Sequence, residues 1–105
     1  MSYNGYRNYE TWIVKVWIDN DQGQHDYWID VARHLDQTTE PTKFLTARQE
    51  AERRLEEALK AAHWDGFERA ESVMLTGVFM DLLKSSLEEV DWRELSESIM
   101  EEAHS

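Results

Sequence analysis

An all-α fold, a compact bundle of four to six helices, is what this sequence predicts, and three observations predict it. One proline and four glycines in 105 residues leave few backbone breaks, too few for the frequent turns of a many-stranded sheet. Beyond residue 40 the apolar residues recur at three- and four-residue spacing. The 41% apolar content, with aromatics spread from Tyr3 to Trp92, supplies a core. At this length a single domain over residues 1–105 buries roughly two-thirds of the surface of its unfolded chain.

After an irregular Tyr-rich arm, Asn8 is placed to cap a first helix running to about Asn20. Tyr9, Trp12, Ile13, Val16 and Trp17 share one of its faces and Val14 and Ile18 another, so it is expected to be buried on two sides. A strand over residues 12–18 is the minority alternative, because Trp12, Val14, Val16 and Ile18 alternate and are aromatic or β-branched. Asp19-Asn20-Asp21-Gln22-Gly23 reads as a turn, followed by a short helix from about His25 to Asp36 that carries Trp28, Val31, Ala32 and Leu35 inward.

Gln37 to Thr42 is the next break, and a third helix is expected from about Pro41 to His63. Its inner stripe is Phe44, Ala47, Ala51, Leu55, Ala58, Leu59 and Ala62, and Glu50/Arg54 and Glu56/Lys60 are favourable i,i+4 pairs. Gly66 ends this helix or opens the turn after it. A fourth helical region spans about Phe67 to Glu89, with Thr76-Gly77 as its candidate break. The last helix begins at Asp91, an N-cap with Glu94 three residues on as reciprocal capping partner, and Val90 is set to staple to Leu95.

Charge narrows the function. Asp and Glu number 22 against 11 Lys and Arg, a net of −11. A domain this acidic repels nucleic acid and anionic membranes, so no direct nucleic acid and no membrane are expected as partners, and a basic protein surface is. In the last helix Trp92, Leu95, Ile99 and Ala103 make an apolar stripe, and Glu94, Glu97 and Glu101 form a ridge on the opposite side. This ridge has two readings: a solvated helix face, or a mimic of the nucleic-acid backbone. Asp19 and Asp21, with Asp26 and Asp30, extend the acidic surface, although Asp19 and Asp26 also suit helix ends and turns. Eleven charges match only about 19 Å of duplex, so mimicry is expected to work best in a homodimer that aligns two ridges.

Other chemistries lack support in the residues. There is no cysteine, which excludes disulfides and thiolate sites and suits a cytoplasmic location. The amino-terminal residues do not resemble a signal peptide, and no apolar run approaches the ~20 residues of a membrane span. A single Glu101-x-x-His104 pair falls short of a carboxylate di-metal site, and Asp19 to Gly23 lacks the order of a calcium loop. No cofactor, no metal and no catalytic motif is expected. Tyr3 and Tyr6 are candidate binding anchors, since Tyr and Trp dominate interface hot spots, with core packing as the alternative.

Asn8-Tyr9-Glu10-Thr11-Trp12, followed by Val14, Val16-Trp17 and Asn20-Asp21, resembles the opening of a family of small uncharacterised proteins from bacteria, archaea and their phages and plasmids. A second block, Phe79-x-Asp81-Leu82-Leu83 through Val90-Asp91-Trp92-Arg93-Glu94, resembles that family's C-terminal helix pair. The resemblance implies a context and no activity: small acidic proteins of mobile elements often block host defence nucleases or other nucleic-acid-binding proteins. The expected function is therefore a non-enzymatic protein that binds the basic surface of a host nucleic-acid-binding protein, a DNA mimic with an anti-restriction or anti-CRISPR role. The alternative is a regulatory or structural module that self-associates through an aromatic face.

Overall fold

The computed structural model describes residues 3–73 and 77–104, and for residues 70–73 the backbone alone. Five helices follow one another: α1 (Tyr9–Asn20), α2 (Gln22–Thr38), α3 (Ala47–Val73), α4 (Val78–Glu89) and α5 (Trp92–His104). No strand occurs among the described residues, so residues 12–18 are helix and the all-α prediction holds.

Asn8 caps α1 as expected, its Oδ1 accepting from the Thr11 N–H at 2.9 Å. The Thr11 hydroxyl also donates to that oxygen and in turn accepts from the Asp91 N–H at 2.8 Å, joining the starts of α1 and α5. Asn8 Nδ2 donates to the Glu89 carbonyl at 2.7 Å, which satisfies one of the orphan acceptors at the end of α4.

The inward face of α1 differs from the predicted one. Thr11, Lys15 and Ile18 are buried, Tyr9 is exposed and Trp17 is 71% exposed. Hydrophobicity alone assigns Thr and Lys to solvent, but here each polar head has hydrogen-bond partners inside, so the aliphatic parts of both side chains can be buried.

The expected five-residue turn before α2 contracts to one residue. Asp21 ends α1 and caps α2, accepting from the Gln24 N–H at 3.0 Å, so α2 begins at Gln22. The third helix starts later than Pro41, because Thr46 and Gln49 form a reciprocal capping box: Thr46 Oγ1 accepts from the Gln49 N–H at 3.1 Å and Gln49 Oε1 from the Thr46 N–H at 2.9 Å. Phe44 therefore lies before the helix and is 86% exposed. Gly66 does not end α3. It sits in open space inside the helix, whereas Gly77, at φ 61°, adopts the positive φ that a helix break uses and stands just before α4. Thr76 lies outside the described residues.

The core forms where α2, α3 and α5 meet. Trp28, Ile29 and Ala32 of α2, Ala51, Leu55 and Leu59 of α3, and Trp92, Leu95, Ile99 and Met100 of α5 are buried, with Ile18 and Val90 joining them. The inner row of α3 keeps an i+4 spacing through 51, 55 and 59, so it continues to His63, and Ala62 is exposed. Ser96 is buried among these residues, its hydroxyl donating to the Glu52 carbonyl. On α4 the buried residue is Met80.

Candidate functional site: the outer face of the last helix and the aromatic arm

Asp91 caps α5, its Oδ1 accepting from the Glu94 N–H at 3.0 Å. The reciprocal half of the predicted capping box is absent. The Asp91 N–H is taken by Thr11, and Glu94 Oε1 accepts instead from the Arg7 N–H at 2.8 Å. A donor from a distant segment has displaced a local one, which residue spacing does not reveal.

The aromatic arm is ordered by a tight turn. Tyr3 and Tyr6 exchange backbone hydrogen bonds around Asn4 (φ 49°) and Gly5 (φ 90°), the Asn-Gly pair that two-residue turns with positive φ prefer. The dipeptide was the available signal for this turn, and the arm read as irregular without it. Tyr6 Oη lies 2.9 Å from Ser98 Oγ, and the Arg7 guanidinium is 3.6 Å from Asp91. The arm thus lies against α5, and Tyr6 and Glu94, predicted on separate grounds, meet on one surface. Tyr3 packs against Tyr9 and Trp12, with ring centroids at 5.3 and 4.9 Å, and stays 41% exposed.

The three ridge acids differ in their surroundings. Glu94 is half-buried and bonded to the arm, Glu97 pairs with Arg93 at 3.3 Å, and Glu101 is exposed with no bonded partner among the described residues. Glu97 also borders a shallow depression of about 470 Å³ between α3 and α5, where Arg53 and Arg93 stand beside Glu52 and Glu56.

Asp19 and Asp21 do not join this ridge. Asp21 is occupied as the α2 cap. Asp19 belongs to a cluster at the far end of α5, where the Lys15 ammonium donates to both Asp19 oxygens at 2.8 Å and to Glu102 Oε2 at 3.1 Å. His25 Nε2 is 2.8 Å from Glu102 Oε1, and its Nδ1 is 3.6 Å from Asp26. Burial pushes the Lys15 pKa down, but the hydrogen bonds and charges of Asp19 and Glu102 outweigh it, and the net shift is upward. The hydrogen bond to Glu102 raises the His25 pKa against the effect of burial. The same bond, with Lys15, holds the Glu102 carboxyl below its ordinary range.

Asp19, His25 and Glu102 offer ligand atoms all within 4.8 Å of one another, a spacing that suits a metal ion. The donor set argues for a different occupant. The Lys15 ammonium already contacts two of the three groups, so a divalent cation would meet a positive charge at contact distance. The cluster ties α1, α2 and α5 together around an internal cation. A Lys15/Asp19 pair at i,i+4 within an apolar helix was its one sequence signal, while the approach of His25 and Glu102 depends on the fold.

A second concavity, a groove of about 430 Å³, is lined by Ile13, Val14, Trp17 and Ile18 of α1 with Asp21, Gln24 and His63. His63 Nδ1 donates to the Leu59 carbonyl at 2.7 Å, and its ring lies between Trp28 and Trp92, with centroids at 6.4 and 5.1 Å.

No helix among the described residues is long and apolar enough to cross a membrane. No curated protein and no solved structure matches the chain. Over residues 1–104 it matches the profile of a family of unknown function (DUF7249), and the chain belongs to that family.

Proposed function

We propose that this chain is a non-enzymatic acidic protein that binds the basic surface of a nucleic-acid-binding host protein in the cytoplasm and keeps nucleic acid off it, as a DNA mimic of a phage or other mobile element. One observation carries the reading: most of the cations are paired with the chain's own acids. Arg7, Lys15, Arg48, Arg53, Arg54, Arg69 and Arg93 all form internal ion pairs, out of 11 Lys and Arg in the chain. Each such pair is locally neutral, so the long-range field is that of the net charge of −11, and Asp30 and Glu101 reach solvent with no bonded partner among the described residues. A basic groove on a partner is the surface that such a field attracts, and a homodimer that lengthens the ridge has to form against the repulsion of two like-charged copies.

The test is competition. The immobilised protein, exposed to host lysate at low salt, should capture a nucleic-acid-binding protein that duplex DNA then displaces. Replacing Glu94, Glu97 and Glu101 together by Gln should weaken the capture and flatten its salt dependence. Capture that duplex DNA leaves untouched removes the mimicry reading.

The exposed Tyr3 and Tyr9, packed on the half-buried Trp12, favour a second reading, self-association through an aromatic face. It predicts a salt-insensitive dimer in sedimentation that Tyr3→Ala dissociates.

A further inference from the structure

We infer that the outer face of α4 is a docking surface for a cationic amphipathic segment of a partner protein. The helix has two apolar sides. Met80 is buried and Leu87 packs on the core, while Val78, Phe79 and Leu82 are 62%, 65% and 60% exposed. Residues 78 and 82 are four apart and 79 and 82 three apart, so these side chains form one patch on the side facing away from the core. Scattered exposed apolar residues need no explanation, but three adjacent ones on one helix turn mark an interaction site.

The charges around the patch say what covers it. Asp81 and Glu88, seven residues apart, run along one edge of the apolar face, and Glu89 closes its C-terminal end. None of these three carboxylates has a bonded partner among the described residues, and Lys84 is the one cation of the helix. A partner that covers Phe79 and Leu82 therefore meets carboxylates at the rim and gains by carrying Lys or Arg there. Three side chains expose far less than the ~800 Å² per partner of a stable protein interface, so apolar burial needs an electrostatic contribution. A second copy would bring another net charge of −11 and the same acidic rim, which opposes the contact. The 12 residues of α4 present a face about 18 Å long, which suits a helix of similar length lying alongside.

This inference stands apart from the acidic ridge of α5, since it assigns binding to a different helix and requires an apolar partner face. The probe is a 14-residue amphipathic Leu/Lys helix, with a Leu/Glu helix of the same apolar face as its counterpart, titrated by calorimetry at moderate salt. The Leu/Lys peptide should bind and the Leu/Glu peptide should not. The double variant Phe79→Ser, Leu82→Ser changes exposed positions only and should keep the melting temperature while weakening the Leu/Lys peptide at least tenfold. Asp81→Asn with Glu88→Gln should weaken it several-fold and reduce its salt dependence, and Glu97→Gln with Glu101→Gln should leave it unchanged. Undiminished binding to the Phe79/Leu82 variant, equal binding of both peptides, no binding of either, or a wild-type dimer that the same variant dissociates would each overturn the proposal. Duplex-DNA competition reads the ridge separately, so either reading can fail without the other.

Discussion

Helices α3 and α4 are neighbours in sequence and opposites in how they treat their charges. Along α3 the acids and bases answer one another: Arg48 pairs with Glu52 at 3.3 Å, Arg53 with Glu50 at 2.6 Å, Arg54 with Glu50 at 3.3 Å and Arg69 with Asp65 at 2.5 Å. Glu50 is nearly buried between its two arginines, and the hydrogen bond from Arg53, then that from Arg54, holds its carboxyl down to about 2. On α4 neither the carboxylates nor the apolar residues of the outer face are used by the fold. Formal charge is therefore a poor map of where this protein meets others. What distinguishes a surface is whether its groups are already answered from within.

Four expected outcomes break or sharpen that contrast. The largest is in packing. Leu55→Ala in the fully buried row of α3 should cost about 2–5 kcal/mol in urea unfolding, whereas Leu82→Ala on the outer face of α4 should stay within about 0.5 kcal/mol. Equal effects would show that α4 is buried as deeply as α3.

Next is the junction that holds α1, α4 and α5 at one end. Thr11→Val keeps the shape but leaves the Asp91 N–H without its acceptor, and should cost about 1–3 kcal/mol. Thr11→Ser retains the hydroxyl and should recover much of that loss; a Ser variant as unstable as the Val variant would shift the cause to packing.

The two glycines test the same contrast through the backbone. Gly66→Ala, in open space inside α3, should stabilise by about 0.5–1 kcal/mol. Gly77→Ala, where φ is 61° and ψ −131°, should destabilise, because a Cβ disfavours that conformation. Thermal melts of the two variants should move in opposite directions.

The smallest effect is a pH dependence. The His25 pKa is raised from its ordinary 6.5, so the stability it contributes is fully present below 6.5 and lost as pH rises through the higher folded-state value. Glu50 and Glu102 are lowered from 4.5, so theirs is present above 4.5 and lost as pH falls through their folded values. The urea midpoint should be highest between these limits and decline gently as pH rises from 6.5 toward neutrality and just beyond, and His25→Gln should abolish that step while leaving the separate loss above 10.5 that the raised Lys15 pKa implies.

Local signals were legible where the interaction itself is local. Asn8 and Asp91 cap their helices because a cap needs only a side chain three residues from its N–H, and the 51/55/59 row of α3 is buried because helical spacing alone aligns it. Helix limits were less legible. Pro41 and Gly66 are general signals, and the Thr46/Gln49 box and the positive φ at Gly77 prevailed over them. Of the candidate site residues, Glu94, Glu97 and Glu101 fall on one face of α5, as periodicity requires, while Asp19 is drawn into the ion-pair cluster around buried Lys15 and Asp21 into the cap of α2.

By itself the sequence determined the helical class, the net charge and the helix starts at Asn8 and Asp91, because each depends on residue composition or on contacts within one turn. Tertiary structure alone decided which face of α1 turns inward, that the Thr11 hydroxyl would serve α5, that Lys15 would occupy the space between Asp19 and Glu102, and that the outer face of α4 would remain uncovered. These outcomes share one physical reason. The cost of burying a polar group or leaving an apolar one in water depends on what the rest of the chain places beside it, and the deciding partners, Asp91 for Thr11 and Glu102 for Lys15, lie tens of residues away.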